Sequence, residues 1–297
     1  MKLTSFTFNG AASYGIVLDG MIVDLGAMFG SKAPDLRTAL EKGLVNPPFE
    51  VDSSAPRYPL EKVTLAPVIP NPDKILCVGV NYKTHLRETG REQPDYPMMF
   101  VRFADSQIGG GEPMVRPRES VKFDFEGELA VIIGKAGRRI AAKDALQHVA
   151  GYACYNDGSV RDWQRHTTQF TAGKNFPATG AFGPWMVTSD EIPDPTVLEL
   201  VTRLNGQEVQ RAGISDLVFD VPALVEYCST FITLRPGDVI VTGTTSGVGA
   251  FREPPLWMKS GDLVEVEISG IGILSNPVVD DEIEQAAVTG DKINLSS

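Results

Sequence analysis

The chain has 297 residues, a formal net charge of −11 and a hydrophobic fraction of 42%, values typical of a soluble globular protein with one large domain or a large domain and a small appendage. Its excess of acidic residues comes without a cluster of Lys and Arg, which argues against a nucleic-acid-binding protein. The apolar runs are far shorter than a bilayer-spanning segment, so we expect no membrane partner.

Cysteine usage and the N-terminus bear on the cellular compartment. Cys77, Cys154 and Cys228 lie in apolar runs without C-x-x-C spacing, which indicates buried thiols in a reducing cytosol. The opening stretch MKLTSFTFNG is not followed by the apolar core of a signal peptide. We therefore predict a cytoplasmic protein.

Residues 1–68 are predicted to form a small N-terminal α/β domain. The run SYGIVLDGMIVDL reads as two short strands about the Asp19-Gly20 turn, and residues 35–43 as a short helix that Gly43 ends. Pro-rich text at 66–74 indicates a linker to the remaining domain, 69–297. The N-terminal unit carries no cluster of reactive groups, so we assign it a role in packing or in supporting a dimer.

A polar segment, YKTHLRETGREQPDYP, follows a predicted buried strand that begins at Lys74. On a short helix His85 and Glu88, three residues apart, share one face. A carboxylate beside an imidazole orients it and raises its basicity, which suits a general base that activates water. The alternative is a solvent-exposed helix with an incidental pair. The breakers Gly90 and Pro94 make this segment a candidate lid over a site.

The stretch FDFEGELAVIIG, residues 123–134, carries the main chemical signal. Read as one strand, it places Asp124, Glu126 and Glu128 on one face, with neighbouring carboxylates about 7 Å apart. Such acids repel one another unless a positive group lies between them. The alternative is the solvent-facing side of an antiparallel strand, where acids spaced two apart are common.

A third acid, Asp157, ends the next apolar run and precedes a predicted helix that begins with RDWQRH, a position where α/β proteins commonly place ligand groups. With Glu126 and Glu128 it could complete an all-oxygen cage for a hard divalent cation. Carboxylate ligands without histidine favour Mg over Zn, with Mn or Ca as alternatives. We therefore predict that these three acids hold Mg.

Several side chains near these acids are candidate substrate ligands. Arg102 could meet an anionic substrate or a surface acid. Arg161 and Arg165, four residues apart, could clamp a carboxylate or form a solvated basic stripe. Gln164 follows Asp157 by two helical turns and is expected to face the same pocket.

Lys174 and a glycine loop complete the candidate residues. Lys174 is costly to bury unless paired, so it is either exposed or aimed at acids or a substrate oxygen. After a hairpin about Asn205-Gly206 and the helix VPALVEYCSTF, the run RPGDVIVTGTTSGVG predicts a strand that enters a glycine loop. In this loop Thr244 offers a hydroxyl to an oxyanion. The loop lacks a phosphate-binding lysine and opens no helix, which excludes a P-loop nucleotide site.

At this point the sequence resembles the fumarylacetoacetate hydrolase family, over roughly residues 74–279. The likeness rests on phrases in a fixed order: NYKTHLRE, FEGELAVIIGK, GYACYNDGSVRDWQ, GKNF, FGPW, RPGDVIVTGTTSGVG and GDLVEVEISGIGIL. The resemblance implies an α+β, β-rich fold, a mixed β-sandwich roll that is usually dimeric and has a small N-terminal domain in many longer members.

Residue by residue, the resemblance implies that Glu126, Glu128 and Asp157 bind Mg or a similar ion. It implies the remaining roles as follows: His85 and Glu88 as the water-activating dyad, Lys174 as the group that stabilises an enolate, and Gln164 and Thr244 near the substrate. The chain departs from the family pattern after Lys174, with Asn175, Pro177 and Ala178, and at Thr245, where proline is common. These departures bear on substrate identity more than on metal binding.

The resemblance implies a Mg-dependent hydrolase that cleaves a carbon–carbon bond in acylpyruvate-like or related 2,4-dioxo acids from aromatic or sugar-acid breakdown, through a metal-bound enolate. Decarboxylation, keto–enol isomerisation or hydration of 2-oxo dioic acids on the same metal site is the alternative. A non-catalytic ligand-binding protein is a rival of a different class. The expected partners are a small anionic oxo acid and a second copy of the chain.

Overall fold

The computed structural model describes residues 1–52 and 54–281. Residues 282–297 of the predicted catalytic domain therefore lie outside the described residues. The strands, in chain order, are β1 (Lys2–Phe8), β2 (Ala11–Leu18), β3 (Met21–Asp24), β4 (Arg57–Pro59), β5 (Thr64–Leu65), β6 (Ile75–Gly79), β7 (Met98–Arg102), β8 (Gln107–Ile108), β9 (Met114–Arg116), β10 (Phe123–Asp124), β11 (Gly127–Ile133), β12 (Val149–Asp157), β13 (Ser159–Val160), β14 (Gly180–Thr188), β15 (Glu199–Leu204), β16 (Gln207–Gly213), β17 (Val239–Thr244), β18 (Leu263–Ile268) and β19 (Gly272–Asp280).

The helices are short and lie between these strands. They are α1 (Leu25–Phe29), α2 (Leu36–Glu41), α3 (Lys83–Thr89), α4 (Arg161–Gln164), α5 (Thr171–Lys174) and α6 (Val221–Phe231), with 3-10 turns at Gly30–Lys32, Leu60–Lys62, Ala104–Ser106, Ala142–His148, Pro195–Val197, Ile214–Asp216 and Gly249–Phe251. In the described parts of the chain no helix has both the length and the apolar composition needed to cross a lipid bilayer.

Two sheets dominate the fold. The larger has twelve strands, ten of them in the order β4-β3-β2-β1-β14-β12-β11-β17-β6-β7, with β5 beside β1 and β8 beside β14. The smaller has five strands in the order β16-β15-β18-β19-β9. The predicted α+β, β-rich architecture of mixed sheets is confirmed.

Local sequence explains several of these elements. Asn205 and Gly206 adopt positive φ angles of 53° and 76°, as a tight two-residue hairpin turn requires, and so join β15 to β16. Asp35 and Asp220 cap α2 and α6 by accepting the backbone N–H groups of Thr38 and Ala223. The hairpin and the helix VPALVEYCSTF are therefore where the sequence predicts them.

The central strand β11 lies between two hydrophobic cores. Leu129, Val131 and Ile133 pack into the core shared with the five-stranded sheet, whereas Ala130 and Ile132 pack into the core under the N-terminal helices. Because successive side chains of a strand point to opposite faces, both faces of β11 are buried. Any charged side chain at the end of this strand is therefore held in an apolar surrounding.

The N-terminal strands extend the large sheet. β1 pairs antiparallel with β14, with Lys2 opposite Val187 and Leu3 opposite Met186. This pairing joins β1–β4 to the strands that follow residue 68. The domain boundary at residue 68 stays a prediction.

The stretch FDFEGELAVIIG is not one strand, so the prediction that Asp124, Glu126 and Glu128 share one strand face is wrong. β10 pairs with β13 and β11 pairs with β12, and Glu126 lies in the break between them. At this break the backbone N–H groups of Glu126 and Gly127 donate to side chains, those of Asn156 and Gln210, at 3.0 and 2.9 Å. The side-chain acceptors replace the strand partners, and the alternation of faces is lost.

Candidate active site

A cleft opens at the ends of three neighbouring central strands of the large sheet, β12, β11 and β17. β11 runs antiparallel to β12 and to β17, so the first residues of β11 lie beside the last residues of both neighbours. Glu128 near the start of β11 is in register with Thr244 at the end of β17, and Asp157 is the last residue of β12. The cavity measures about 90 Å³. Its ionisable lining residues are His85, Arg91, Glu126, Glu128, Arg161, Arg165 and Lys174.

The three predicted ligand acids come together here. One carboxylate oxygen from each of Glu126, Glu128 and Asp157 lies within 4.8 Å of those of the other two. Their exposed fractions are 6%, 1% and 0%, so the alternative of a solvent-facing strand is wrong. The acids converge from a loop, from β11 and from β12, across two paired strands instead of along one.

Two of the acids are already paired with permanent cations. Glu126 Oε1 forms an ion pair with Arg161 Nη1 at 2.6 Å, and Asp157 Oδ1 accepts a hydrogen bond from Arg102 Nη1 at 2.5 Å. The other oxygen of each acid faces Lys174 Nζ, at 2.7 Å from Glu126 Oε2 and 2.6 Å from Asp157 Oδ2. The arginines thus fix the outer oxygens, while the inner oxygens share one cationic centre.

Lys174 is buried, with 1% of its surface exposed. Burial alone would lower the pKa of its ammonium group, but Asp157 and Glu126 outweigh that effect and raise the pKa above its usual value. Of the alternatives open for Lys174, the structure has the one in which it is aimed at acids, and it stays positively charged.

Glu128 is the acid without a cationic partner among the described residues. There its carboxylate accepts one hydrogen bond, from the Gly243 N–H at 2.5 Å. Burial and the carboxylates of Asp157 and Glu126 raise the pKa of Glu128 well above its usual range. Burial opposes ionisation of Glu126 too, but there Lys174 and Arg161 outweigh it and lower the pKa to about 2. Glu128 is therefore the carboxyl group whose ionisation the cleft does not compensate.

These residues fit a hard divalent cation. Three converging carboxylates without histidine or cysteine are ligands of the kind that Mg, Mn and Ca prefer. A hydrogen bond from Arg102 and an ion pair with Arg161 hold the outer oxygens, as groups behind metal ligands commonly do. A cation beside Glu128 would also balance its charge, so Glu126, Glu128 and Asp157 are the residues that could hold the ion.

The predictions for Arg102 need correction. Arg102 shares the inward face of β7 with Phe100, because alternate residues of a strand point the same way. It donates to Asp157, to the Gly158 carbonyl and to Thr179. Within the described residues the acid that it pairs with, Asp157, is buried, and Arg102 is not part of the cavity wall. We therefore assign Arg102 to positioning Asp157 instead of binding substrate.

The predicted clamp of Arg161 and Arg165 stays a prediction. Helix α4 ends at Gln164, directly before Arg165, and both arginines line the cavity. Arg161 is buried and binds Asp124 at 2.7 Å as well as Glu126, which also makes the solvated-stripe alternative wrong for it. The Nη2 atom of Arg161 is buried but makes no hydrogen bond within the described residues. Arg161 also forms part of the cavity wall. That nitrogen is available to an anionic ligand.

His85 and Glu88 form the predicted pair on α3. His85 Nδ1 lies 2.7 Å from Glu88 Oε2, and the two side chains are 7% and 19% exposed, so the alternative of a solvent-exposed pair is wrong. The other oxygen, Glu88 Oε1, accepts the Gly247 N–H at 2.8 Å. Since a carboxylate only accepts, Nδ1 carries a proton, and in the neutral ring Nε2 is then the basic nitrogen.

Gln164 and Thr244 both line the cavity. Gln164 Oε1 accepts from Arg161 at 3.0 Å. The Thr244 hydroxyl donates to the Gly127 carbonyl at 2.9 Å and accepts from Gln210 at 2.8 Å. That hydroxyl is thus already engaged in holding the strand edge, and any contact with substrate would use its remaining lone pair.

Asp124 has a role that sequence reasoning missed. Its carboxylate binds Arg161 and accepts the N–H groups of Gly249 and Ala250 at 2.7 and 2.9 Å. It therefore ties the glycine loop to the arginine that holds Glu126. The spacing of Asp124 from Glu126 predicted that the two acids share one strand face. Only the break in the strand shows that Asp124 turns away from Glu126 and Glu128.

The comparisons with known proteins agree with this geometry. A sequence profile described as "Fumarylacetoacetate (FAA) hydrolase C-terminal" matches residues 74–279. A protein of Xenopus laevis named mitochondrial oxaloacetate tautomerase is 40% identical over 288 residues, 94% of this chain and 90% of its own length.

Two solved structures share the fold. One is the 5-carboxymethyl-2-hydroxymuconate delta-isomerase from Mycobacterium smegmatis, with 31% identity and a TM-score of 0.76 over 95% of this chain and 100% of that one. The other is the maleylpyruvate hydrolase from Sphingobium sp. SYK-6 in complex with manganese(II) and pyruvate, with 29% identity and a TM-score of 0.78 over the same shares. Isomerases and hydrolases both occur among its structural relatives.

Proposed function

The chain belongs to the fumarylacetoacetate hydrolase family, and we propose that it is a metal-dependent tautomerase of a short 2-oxo acid, with oxaloacetate as its test substrate. The observation that carries the proposal is that His85, held by Glu88, lines the same cavity as the carboxylates of Glu126 and Glu128. The similarity to a protein named oxaloacetate tautomerase supports this reaction over the others open to the cleft.

Keto–enol exchange of a 2-oxo acid breaks a C3–H bond and forms an O–H bond, with no atom gained or lost. Its difficulty is that negative charge develops on the keto oxygen as the proton leaves carbon. A divalent ion held by the three acids supplies Lewis acidity toward that oxygen when it is bound. The protein must still provide a base and fixed positive charge.

His85 is the base that this reaction needs. With Nδ1–H donated to Glu88, Nε2 takes the C3 proton and then delivers it to the oxygen, so the imidazole ends each turnover as it began. The Gly247 N–H fixes Glu88 from its other side, which keeps the ring in one orientation. A positioned base of this kind contributes about 10²- to 10⁴-fold in rate.

Lys174 and Arg161 provide the fixed charge. Lys174 stays protonated because Asp157 and Glu126 raise its pKa, and Arg161 keeps Nη2 free at the cavity wall. Both cations are held by acids in a buried site, so little reorganisation is needed as charge develops on the substrate.

The small cavity supports a short substrate. Its volume of about 90 Å³ is well below the roughly 300–1,000 Å³ of pockets for drug-sized ligands. Val78, Phe100 and Phe170 form apolar parts of its wall. A four-carbon oxo acid therefore suits the cleft better than a long dioxo acid.

The test is deuterium exchange at C3 of oxaloacetate, followed by NMR in D₂O. We expect exchange that the protein accelerates with Mg²⁺ or Mn²⁺ and that EDTA returns to the rate in buffer. Buffer with the metal ion alone is the control, because free ions enolise oxo acids themselves. Exchange no faster than in that control would contradict the proposal.

The hydrolysis predicted from the resemblance is the second candidate. It is supported by the fold shared with a maleylpyruvate hydrolase that holds manganese and pyruvate. In that reaction His85 would take its proton from water instead of carbon. Release of pyruvate from an acylpyruvate, without C3 exchange in oxaloacetate, would favour it. Tight oxalate binding with neither reaction would favour a non-catalytic ligand-binding protein.

Three further assignments stay predictions. Mg is the proposed ion, with Mn or Ca as alternatives. A homodimer is supported by exposed apolar side chains around the edge strand β7, at Tyr96, Met98, Val101 and Phe103, which are 37–71% exposed. The cytoplasm is the compartment predicted from the sequence, whereas the named tautomerase relative is mitochondrial.

A further inference from the structure

The cavity carries its positive charge in two places. Arg161 and Lys174 are buried at the floor, where Glu126 pairs with both. Arg91 and Arg165 are exposed and line the same cavity at its mouth. Among the described residues, neither Arg91 nor Arg165 lies within ion-pair distance of a carboxylate, and the acids of the cavity lining are both at the floor.

Each mouth arginine is placed by a helix that carries another residue of the cavity, His85 on α3 and Arg161 on α4. Gly90 ends α3 in a left-handed conformation with φ of 64°, and the Arg91 N–H then bonds to the Leu86 carbonyl at 3.0 Å. Arg91 thus follows directly the helix that holds His85. Arg165 follows α4 in the same way, and its N–H bonds to the Asp162 carbonyl at 3.1 Å.

Phe251 connects Arg165 to the catalytic imidazole. The Arg165 guanidinium carbon lies 6.0 Å from the centre of the Phe251 ring, within reach of a cation–π contact. The Phe251 ring also contacts the His85 ring edge-on, with the two ring centres 5.9 Å apart. The cation is therefore held beside the proposed base without an acid to neutralise it.

We infer that Arg91 and Arg165 bind the distal carboxylate of a dicarboxylic 2-oxo acid and thereby select dicarboxylates over monocarboxylates. The inference rests on the proposed function, since it assigns the substrate class of the same cleft. The floor takes the 2-oxo acid end of the substrate, and a second carboxylate on C3 or beyond points to the mouth. Guanidinium groups suit this role because their planar donors match carboxylate geometry.

The experiment compares oxaloacetate with 2-oxobutanoate, a monocarboxylic oxo acid of the same carbon chain length. Deuterium exchange at C3 gives kcat/KM for both substrates in the Mn²⁺-loaded protein. We define the selectivity ratio as kcat/KM for oxaloacetate divided by kcat/KM for 2-oxobutanoate. We expect Arg91→Gln and Arg165→Gln each to lower this ratio by about 10- to 100-fold, mainly through a higher KM for oxaloacetate. Arg87→Gln, an exposed arginine of α3 outside the cavity lining, is the matched control and should leave the ratio as in the parent.

An unchanged ratio in both mouth variants would overturn the inference, as would equal losses on the two substrates. Calorimetric binding of malate and 2-hydroxybutanoate, which lack the keto group, separates this outcome from failure of the proposed function. If the parent exchanges neither oxo acid but the arginine variants lose affinity for malate alone, the tautomerase fails and the distal-carboxylate site stands. If malate binds the variants as it binds the parent, the site fails whatever the reaction is.

Discussion

The floor and the mouth of the cleft use the same side chain for different purposes. At the floor Arg161 is buried, and Arg102 is buried behind it; each holds a carboxylate, at 2.6 and 2.5 Å. At the mouth Arg91 and Arg165 are exposed. Burial and pairing, not residue type, decide whether an arginine maintains a site or recognises a ligand. The floor should therefore govern chemistry, metal binding and stability, and the mouth only the choice of substrate.

Removing the proposed base should have the largest effect. We expect His85→Asn to lower kcat by about 10²- to 10⁴-fold on oxaloacetate and 2-oxobutanoate alike, because proton transfer at C3 is common to both substrates. C3 exchange by NMR measures the loss, with His148→Asn, a histidine outside the cavity lining, as the control. A loss of activity on oxaloacetate alone would mean that His85 selects the substrate, as the mouth arginines do, and would contradict its role as the base.

The next effect separates the two classes of arginine directly. Arg102→Met removes one of the two buried cations that pair with Asp157, and we expect it to destabilise the fold by about 3–5 kcal/mol and to weaken Mn²⁺ binding by about 10- to 100-fold. Denaturant unfolding and calorimetry measure the two losses.

Arg203→Met is the matched control for Arg102→Met. Arg203 is also a strand arginine bound to one acid, Glu267, at 2.6 Å, but that pair is about one-third exposed, so its loss should cost about 1 kcal/mol or less. Equal destabilisation by the two substitutions would show that burial of the floor pair has no special weight.

Neutralising Glu128 and neutralising Glu126 should change the Tm of the metal-free protein in opposite directions. Glu128 has a raised pKa, so its ionisation opposes folding once the pH rises above its ordinary value of 4.5. We expect metal-free Glu128→Gln to unfold at a higher Tm than the parent at pH 7, by a few degrees, since 1 kcal/mol is roughly 2–4 °C in a large domain. The difference should shrink as the pH falls toward 4.5.

Glu126→Gln is the opposing case. The pKa of Glu126 is lowered to about 2 by Lys174 and Arg161, so its ionised form stabilises the fold at pH 7. That contribution is lost as the pH falls from its ordinary pKa of 4.5 through about 2. We expect this variant to unfold at a lower Tm than the parent. Thermal scans of both variants in EDTA test the pair, and changes of the same sign would contradict the charge assignment at the floor.

Sequence patterns predicted the parts of this molecule that depend on local rules. The hairpin turn at Asn205-Gly206 and the His85–Glu88 pair follow from turn chemistry and helical spacing. The grouping of Glu126, Glu128 and Asp157 followed from the residue types, although the assumed single strand was wrong.

What the sequence did not predict depends on contacts between distant segments. Arg102 lies 55 positions from Asp157 along the chain, and nothing near Arg102 indicates that it faces inward. The mouth site depends on where α3 and α4 end and on Phe251, which belongs to a third segment. The turn of Asp124 away from the other acids depends on Asn156 and Gln210, which interrupt the strand. Tertiary contacts of this kind carry no local signal.

The most direct test of the metal centre is a calorimetric titration of Mn²⁺ into the parent and into Glu128→Gln, each first stripped with EDTA. The account predicts a single Mn²⁺ per chain in the parent and no saturable binding at that site in the variant, which remains folded because its lost charge had no cationic partner among the described residues. Binding of one Mn²⁺ per chain to Glu128→Gln with the affinity of the parent would contradict the assignment of Glu126, Glu128 and Asp157 as its ligands.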